Sequence, residues 1–178
     1  MASYLVLTAT GRDRPGLVDS VTECIVDHDG NVETSRMARL GGDFAMLALM
    51  TVPDDKEQGL LDAIRSLESV GLATHVRSTD PSEANRYEGH LPYDVEVRGA
   101  DHGGIIHEVA HYLADQGINI ESMDTDVVDA PLSGAPLFMM TALVFVPSDV
   151  TLGEIRDSIE SIGAELGVDT EVRPHARA

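Results

Sequence analysis

The amino-acid sequence contains an internal repeat, and this repeat limits the chain to folds built from two similar halves. Residues 11–16 (GRDRPG) recur as residues 99–104 (GADHGG), so that the first glycine, the aspartate and the last glycine are each matched 88 positions later. Residues 31–34 (NVET) recur at the same offset as residues 119–122 (NIES). Two separate segments that share one offset indicate a duplicated structural unit.

In the first half, the spacing of apolar residues predicts the element order β-α-β-β-α-β. Segments rich in β-forming residues alternate with segments whose apolar residues recur at helical spacing. Gly41 and Gly42 mark a tight hairpin turn between the second and third strands. The predicted strands are residues 4–10, 31–40, 44–52 and 72–77. The first predicted helix has the apolar face Leu17, Val18, Val21, Cys24 and Ile25, and the second has Leu60, Leu61, Ile64, Leu67 and Val70.

The second half repeats this order after a polar segment. Apolar and polar residues alternate from Tyr93 to Arg98, which predicts a half-buried strand. A longer hairpin at residues 129–136 precedes the third strand. Of the other three predicted strands, one begins at Asn119 and two span residues 137–146 and 168–173. The first predicted helix has the apolar face Ile105, Ile106, Val109 and Leu113, and the second has Ile155, Ile159 and Ile162.

Two such units predict two ferredoxin-like α+β sandwiches in tandem, each an antiparallel sheet with its helices on one face. We expect a first domain at residues 1–79, a linker at residues 80–90, which are polar and lack an apolar period, and a second domain at residues 91–178. The third strand of each unit is apolar at nearly every position. This pattern predicts that the second face of each sheet is also partly covered, by the sister domain or by another subunit.

Composition excludes several classes of function. The formal net charge is −19 and the chain has only 12 lysines and arginines, which argues against direct binding of DNA or RNA. The acidity itself suits a solubility feature or a high-salt habitat. The single cysteine, Cys24, cannot form an intrachain disulfide or a cysteine-based metal site and falls among apolar helix positions. With no apolar run of about 20 residues and no export signal, we expect a cytoplasmic protein that does not enter a membrane.

The repeated glycine turn carries the candidate chemistry. A helix that begins after the turn directs unpaired backbone N–H groups at whatever lies above it, which favours an anion. Gly16 lets a ligand approach the backbone, Pro15 suits a first helical turn, and Asp13 is a candidate cap or acceptor for a cation. This combination fits a small zwitterion such as an amino acid. A purely structural role remains open, because a tight strand-to-helix turn needs glycine with or without a ligand.

The βαββαβ unit, its Gly-x-Asp-x-Pro-Gly turn after the first strand and its Gly-x-Asn entry to the second strand together resemble the ACT domain, a small regulatory module that binds amino acids. A tandem pair that fills the chain is similar to the glycine cleavage system transcriptional repressor group. The second turn departs from the pattern, with His102 in place of Arg14 and Gly103 in place of Pro15. Unequal ligand affinity at the two turns is therefore expected.

The resemblance implies ligand sites between the first turn of one domain and the start of the second strand of the other. The first predicted site comprises Asp13, Arg14, Pro15, Gly16 and Leu17 with Asn119 and Ile120. The second comprises Asp101, His102, Gly103, Gly104 and Ile105 with Asn31 and Val32. The resemblance further implies a non-enzymatic homodimer, without cofactor, that senses an amino acid such as glycine or serine and acts on a protein partner, a transcriptional activator, rather than on nucleic acid.

Two alternatives compete with this interpretation. Residues 107–111 (HEVAH) match the H-E-x-x-H pattern, in which His107 and His111 would bind zinc and Glu108 would act as general base. Against it, the apolar stripe of this helix turns both histidines toward solvent. The other alternative is a ligand-free structural or oligomerising module whose turns stay empty. No arrangement of nucleophile and base indicates catalysis, so we expect neither catalytic nor metal-binding residues.

Overall fold

The computed structural model describes residues 2–80, 82, 86–130 and 134–176. The chain divides into two compact units, Met1–Arg86 and Tyr87–Ala178. Part of the predicted linker, and part of the predicted hairpin at residues 129–136, lie outside the described residues. At the start of the second unit, the ring of Tyr87 stacks on that of Phe145, with 6.2 Å between the ring centroids.

The first unit has the predicted order β-α-β-β-α-β. Its four strands form one antiparallel sheet in the order β2-β3-β1-β4, so β2 and β4 are the edges. The elements are β1 (Ala2–Arg12), α1 (Leu17–Val26), β2 (Asn31–Leu40), β3 (Asp43–Pro53), α2 (Glu57–Ser66) and β4 (Leu72–Ser78). The predicted limits of β2 are confirmed at both ends.

The second unit repeats this topology, with its sheet in the order β6-β7-β5-β8. The elements are β5 (Leu91–Ala100), α3 (Ile105–Asp115), β6 (Asn119–Asp129), β7 (Pro136–Val146), α4 (Leu152–Leu166) and β8 (Val168–Pro174). Thr151 caps α4 in a reciprocal capping box with Glu154, an arrangement that satisfies two backbone N–H groups at the helix start. The prediction of two tandem ferredoxin-like units is confirmed.

Each unit has a core of its own, between one face of the sheet and the two helices. In the first unit, alternate residues of β1 and β3 are buried, among them Leu5, Leu7 and Met50. They pack with the buried helix residues Val21 and Ile64. Full burial of a side chain of this size stabilises the fold by about 1.5–3 kcal/mol, so this layer supplies most of the driving force for folding.

Cys24 belongs to the packing of the first unit. It is partly buried and lies against the apolar core. Burial raises the pKa of the Cys24 thiol, and the nearby charges of Glu23 and Asp27 act in the same direction. A raised pKa lowers the fraction of reactive thiolate, as expected for a packing residue.

Two predicted helix faces need correction. The second helix was expected to continue to Val70, but α2 ends at Ser66 and a 3₁₀ turn, Leu67–Val70, follows it. Because a 3₁₀ turn winds more tightly than an α-helix, Val70 leaves the buried face and is 42% exposed. In α3, Ile106 was expected in the buried stripe but is also 42% exposed, since it lies one residue round the helix from the buried Ile105.

The outer faces of the sheets carry the remaining apolar residues of the third strands. In β3 the even-numbered residues from Phe44 to Val52 are buried, whereas Leu47 on the opposite face is 49% exposed. The helices therefore account for only half of the apolar character of this strand. That the sister domain or another subunit covers the outer face of each sheet stays a prediction.

The close approach between the end of β1 and the end of the second helix generates a stability prediction. A Cβ placed on Gly11 would overlap the backbone carbonyl oxygen of Gly71. We expect Gly11→Ala to lower the free energy of unfolding by about 1–3 kcal/mol, measured by chemical denaturation. As a control, Gly103→Ala adds a Cβ that meets nothing, so it should change stability by less than about 0.5 kcal/mol. Equal effects of the two substitutions would contradict the steric explanation.

Candidate ligand site at the strand-to-helix turns

The turn between β1 and α1 is shorter than its sequence pattern indicated. Gly11 and Arg12 belong to β1, and α1 begins at Leu17. Gly16 is the N-cap residue with φ 92°, a left-handed conformation that strongly favours glycine. Among the described residues no side chain caps this helix, so its first N–H groups point out of the turn without a side-chain acceptor. Pro15 precedes the N-cap and was wrongly expected inside the first helical turn.

Asp13 does not cap α1, which corrects one of its two expected roles. Its backbone N–H donates a hydrogen bond to the Gly42 carbonyl oxygen at 3.0 Å. Its carboxylate pairs with Arg39, with 2.8 Å between Oδ2 and Nε. The cation that Asp13 accepts therefore comes from β2 of the same unit. Arg39 has no signal in the sequence, because only the sheet register brings the end of β2 beside the turn.

Arg14 anchors the turn to the second helix. Its Nη2 donates a hydrogen bond to the carbonyl oxygen of Val70 at 2.9 Å. Val70 is the last residue before Gly71, which ends the 3₁₀ turn in the left-handed conformation. This bond satisfies a carbonyl group at a helix end, where backbone acceptors lack partners within the helix.

His102 makes the equivalent contact in the second unit. Its Nε2 lies 2.8 Å from the carbonyl oxygen of Leu166, the last residue of α4 before the left-handed Gly167. Its Nδ1 lies 3.1 Å from the carbonyl oxygen of Gly103. Since both partners are acceptors, only the doubly protonated ring donates to both. The bonds to Gly103 and Leu166 therefore raise the pKa of His102, and the charge of Asp101 adds to them.

Asp101 differs from its counterpart Asp13. Its backbone N–H donates to the Pro136 carbonyl oxygen at 3.2 Å, but its carboxylate has no hydrogen bond or ion pair with another described residue. The sheet register explains the difference. Arg39 lies opposite Phe44 in the first unit, and the equivalent residue of the second unit, opposite Phe138, is the uncharged Val127. The second turn thus keeps, beside the start of α3, a carboxylate that acts on His102 through its charge but has no direct ion pair like that of Asp13.

The rest of the second turn follows the first. Gly104 is the N-cap of α3 with φ 103°, and no described side chain caps the helix. Ile105 is buried in the core, as is Leu17 in the first unit. The two turns therefore share a backbone geometry and differ in their charges.

A cavity of about 370 Å³ lies over the first turn. The predicted residues Asp13, Arg14, Pro15, Gly16 and Leu17 all line it. Val18 and Asp19 of α1, Met37 of β2 and Phe44 of β3 complete the lining. The sequence did not connect Met37 with the turn. Its pairing with the buried Met46 places it on the helix side of the sheet, and a β-bulge between Val32 and Thr34 conceals this from the alternation of the sequence.

The other half of each predicted site lies elsewhere. Asn31 pairs with Thr51, at the end of the sheet remote from Gly11, which pairs with Phe44. Asn119 likewise pairs with Phe145 rather than with a residue near the second turn. Within one unit the turn and the start of the second strand are therefore not brought together. That the turn of one domain and the start of the second strand of another form a shared site stays a prediction. It concerns Asn31, Val32, Asn119 and Ile120.

Asn31 takes part in a local network. Its Nδ2 donates to Glu33 Oε1 at 3.1 Å, and Thr51 Oγ1 donates to the same oxygen at 2.8 Å. The bond from Thr51, followed by that from Asn31, lowers the pKa of Glu33. The network holds the start of β2 against β3.

The H-E-x-x-H histidines lie on the exposed face of α3, as their position relative to the apolar stripe predicted. The rings of His107 and His111 stack with 5.9 Å between centroids, and His111 Nε2 lies 3.6 Å from Asp115 Oδ2. In the part of the chain that the structure describes, no group of three or more histidine, cysteine, aspartate or glutamate side chains could hold a metal ion.

None of the helices among the described residues is long and apolar enough to cross a membrane.

Two ferredoxin-like units, each with a glycine turn before a helix that no described side chain caps, place the chain in the class of small α+β modules. Comparison with known proteins identifies the family. An ACT domain model matches residues 3–77, and the chain is 36% identical over 80 residues to the UPF0237 protein MK1213 of Methanopyrus kandleri, covering 82% of that protein. The chain belongs to the ACT domain family.

Other relatives extend this result. The chain is 39% identical over 66 residues to the glycine cleavage system transcriptional repressor of Escherichia coli, but this match spans only 31% of the repressor. A protein of unknown function from Galdieria sulphuraria matches 99% of this chain, with a TM-score of 0.80 and 28% identity. A protein proposed to be a glycine cleavage system transcriptional repressor shares the fold over 99% of both chains, with a TM-score of 0.71 and 21% identity.

The contact of His102 generates a prediction about pH. Because its pKa is raised in the folded state, its bonds stabilise the fold fully below about pH 6.5, the ordinary histidine pKa, and this contribution is lost as the pH rises through the folded-state value. The stability gap between wild type and His102→Ala should therefore shrink from about pH 5.5 to about pH 8.5. Chemical denaturation at each pH measures it.

Arg14→Ala is the matched control for this prediction. The guanidinium of Arg14 stays protonated throughout this range, so the cost of removing it should not vary with pH. A pH-independent gap for His102→Ala would show that the imidazole does not titrate in contact with Leu166.

Proposed function

We propose that this chain is a non-enzymatic regulator that binds a free amino acid at its strand-to-helix turns and controls the transcription of amino-acid metabolism, that of glycine in particular, through a protein partner. The single observation that carries the proposal is the geometry shared by the two turns. In both, a helix begins at a left-handed glycine and no described side chain caps it. The relation to the glycine cleavage system transcriptional repressor supports the biological role.

The residues divide the task of binding a zwitterion. The open N–H groups at the start of the helix would donate hydrogen bonds to the carboxylate of an amino acid, and the positive end of the helix dipole favours the same group. A nearby side-chain carboxylate would accept the ammonium group. Asp101 is available for this role, whereas Asp13 is already paired with Arg39. In this proposal the second strand of a paired ACT domain, through Asn31 and Val32 or Asn119 and Ile120, closes the site.

Binding would act by changing the population of domain arrangements. A ligand shifts such an equilibrium only if it binds one arrangement more tightly than another. A site shared by two domains has this property, because it is complete in one arrangement only. The net charge of −19 favours a protein partner such as a transcriptional activator over nucleic acid. We propose that the working form is a cytoplasmic homodimer.

One observation favours a second candidate, a ligand-free interaction module. The motif glycines are required by the backbone itself, since a Cβ on Gly99 would lie 2.6 Å from Val168 Cγ1 and both N-cap glycines have a positive φ. Glycine at these positions is therefore compatible with empty turns. The two candidates differ in whether a free amino acid stabilises the protein.

A thermal-shift screen of the purified chain against the twenty amino acids separates these candidates. A ligand present at 100 times its Kd adds about 2.7 kcal/mol to the stability of the native state. In a protein of this size that addition raises Tm by several degrees. We expect a selective shift with one amino acid or a few related ones. No shift with any of the twenty would favour the interaction module.

Asp101→Asn tests the assignment of the ammonium acceptor. The substitution keeps the shape of the side chain and removes its charge, and a hydrogen bond to a charged group contributes about 1.5–3 kcal/mol. We expect the affinity of the second turn for its amino acid to fall about tenfold or more, measured by isothermal titration calorimetry. Asp149→Asn, which makes the same change at an exposed loop position, should leave affinity unchanged. Equal affinities of both variants would reject the role of Asp101.

A further inference from the structure

The cavity over the first turn limits which amino acids it suits. We propose that this cavity selects amino acids with a larger apolar side chain, of the valine, leucine and methionine class, over glycine and serine, and that Met37 sets this preference. The inference rests on the proposed function, since it names the ligand class of one of the two turns. It depends on the wall of the cavity and on the charges around it.

The wall of the cavity is apolar. Phe44 is only 3% exposed and forms part of the core, whereas Met37 is 58% exposed on the neighbouring strand. Pro15 and Val18 add further apolar surface on the side of the turn and α1. Glycine would leave this wall in contact with water. A branched or thioether side chain would remove it from water, and each buried methylene group strengthens binding.

The two charged side chains of the turn itself, Asp13 and Arg14, already have partners. The carboxylate of Asp13 pairs with Arg39, and the guanidinium of Arg14 donates to the carbonyl of Val70. The remaining charged residue of the lining, Asp19, is exposed. A serine hydroxyl would therefore find its nearest candidate partners already bonded or exposed to water. The apolar wall then decides which amino-acid side chain binds more tightly.

The size of the cavity suits a small molecule. Its volume of about 370 Å³ lies at the lower end of the range for ligand pockets, roughly 300–1,000 Å³. A free amino acid is the appropriate size. Met37 is suited to line such a site, since its flexible thioether adapts to side chains of different shape.

The second unit lacks this combination of residues. The residue that matches Met37 is Thr125, as their pairing with Met46 and Met140 shows. Arg39 is matched by Val127 and Pro15 by Gly103. The second turn thus has a free carboxylate and a smaller residue on the wall, while the first has a neutralised carboxylate and an apolar wall. The two turns are accordingly expected to prefer different amino acids.

Calorimetric titration of the full chain with glycine, serine, valine, leucine and methionine tests the inference. We expect leucine or methionine to bind at least about tenfold more tightly than glycine at one site of the wild-type chain. Met37→Thr, which copies the second unit, should weaken this binding about fivefold or more and leave glycine binding unchanged. Leu40→Thr is the matched control, because Leu40 is an exposed apolar residue of the same strand outside the cavity lining.

The outcomes separate failure of this inference from failure of the proposed function. If glycine or serine binds as tightly as leucine and methionine, the apolar preference is wrong while amino-acid sensing stands. If leucine or methionine binds tightly but Met37→Thr and Leu40→Thr behave alike, Met37 does not set the preference. If none of these amino acids binds and the full screen of twenty is also negative, the proposed function itself is overturned.

Discussion

The position of the candidate site depends on one contact, between the turn after the first strand and the end of the second helix. In the first unit Gly11 lets the end of β1 approach Gly71, and Arg14 donates to the last carbonyl before that glycine. In the second unit Gly99 approaches Val168 and His102 takes the place of the arginine. The contact holds the turn in place, since no described side chain caps the first helix of either unit.

The duplicated units share this frame but not its electrostatics. One anchor is a guanidinium, and the other is an imidazole whose pKa is raised by its bonds to two backbone carbonyl groups. Asp13 pairs with Arg39, whereas Val127 occupies the matching position in the second unit, so Asp101 has no such partner among the described residues. The two units therefore have the same backbone geometry at their turns. They differ in the charge and in the apolar surface that each turn presents to a ligand.

Much of the fold could be predicted from the sequence, since the apolar periods and the glycine turns act locally. The limits of β2 and the start of α3 are examples. The errors arose where geometry beyond the local period decides. The helical period did not reveal the 3₁₀ turn that exposes Val70, and Asp13 could not be assigned its partner because Arg39 is distant in sequence.

The sequence by itself determined that this protein has two βαββαβ units with glycine turns before the first helix of each, since repeats, periodicity and glycine requirements are properties of short segments. Only the tertiary structure decided which charges those turns retain and which surface lies above them. Sheet register brings β2 beside the turn and sets Met37 and Arg39 near Asp13, and register depends on pairing between strands rather than on the residues of the turn.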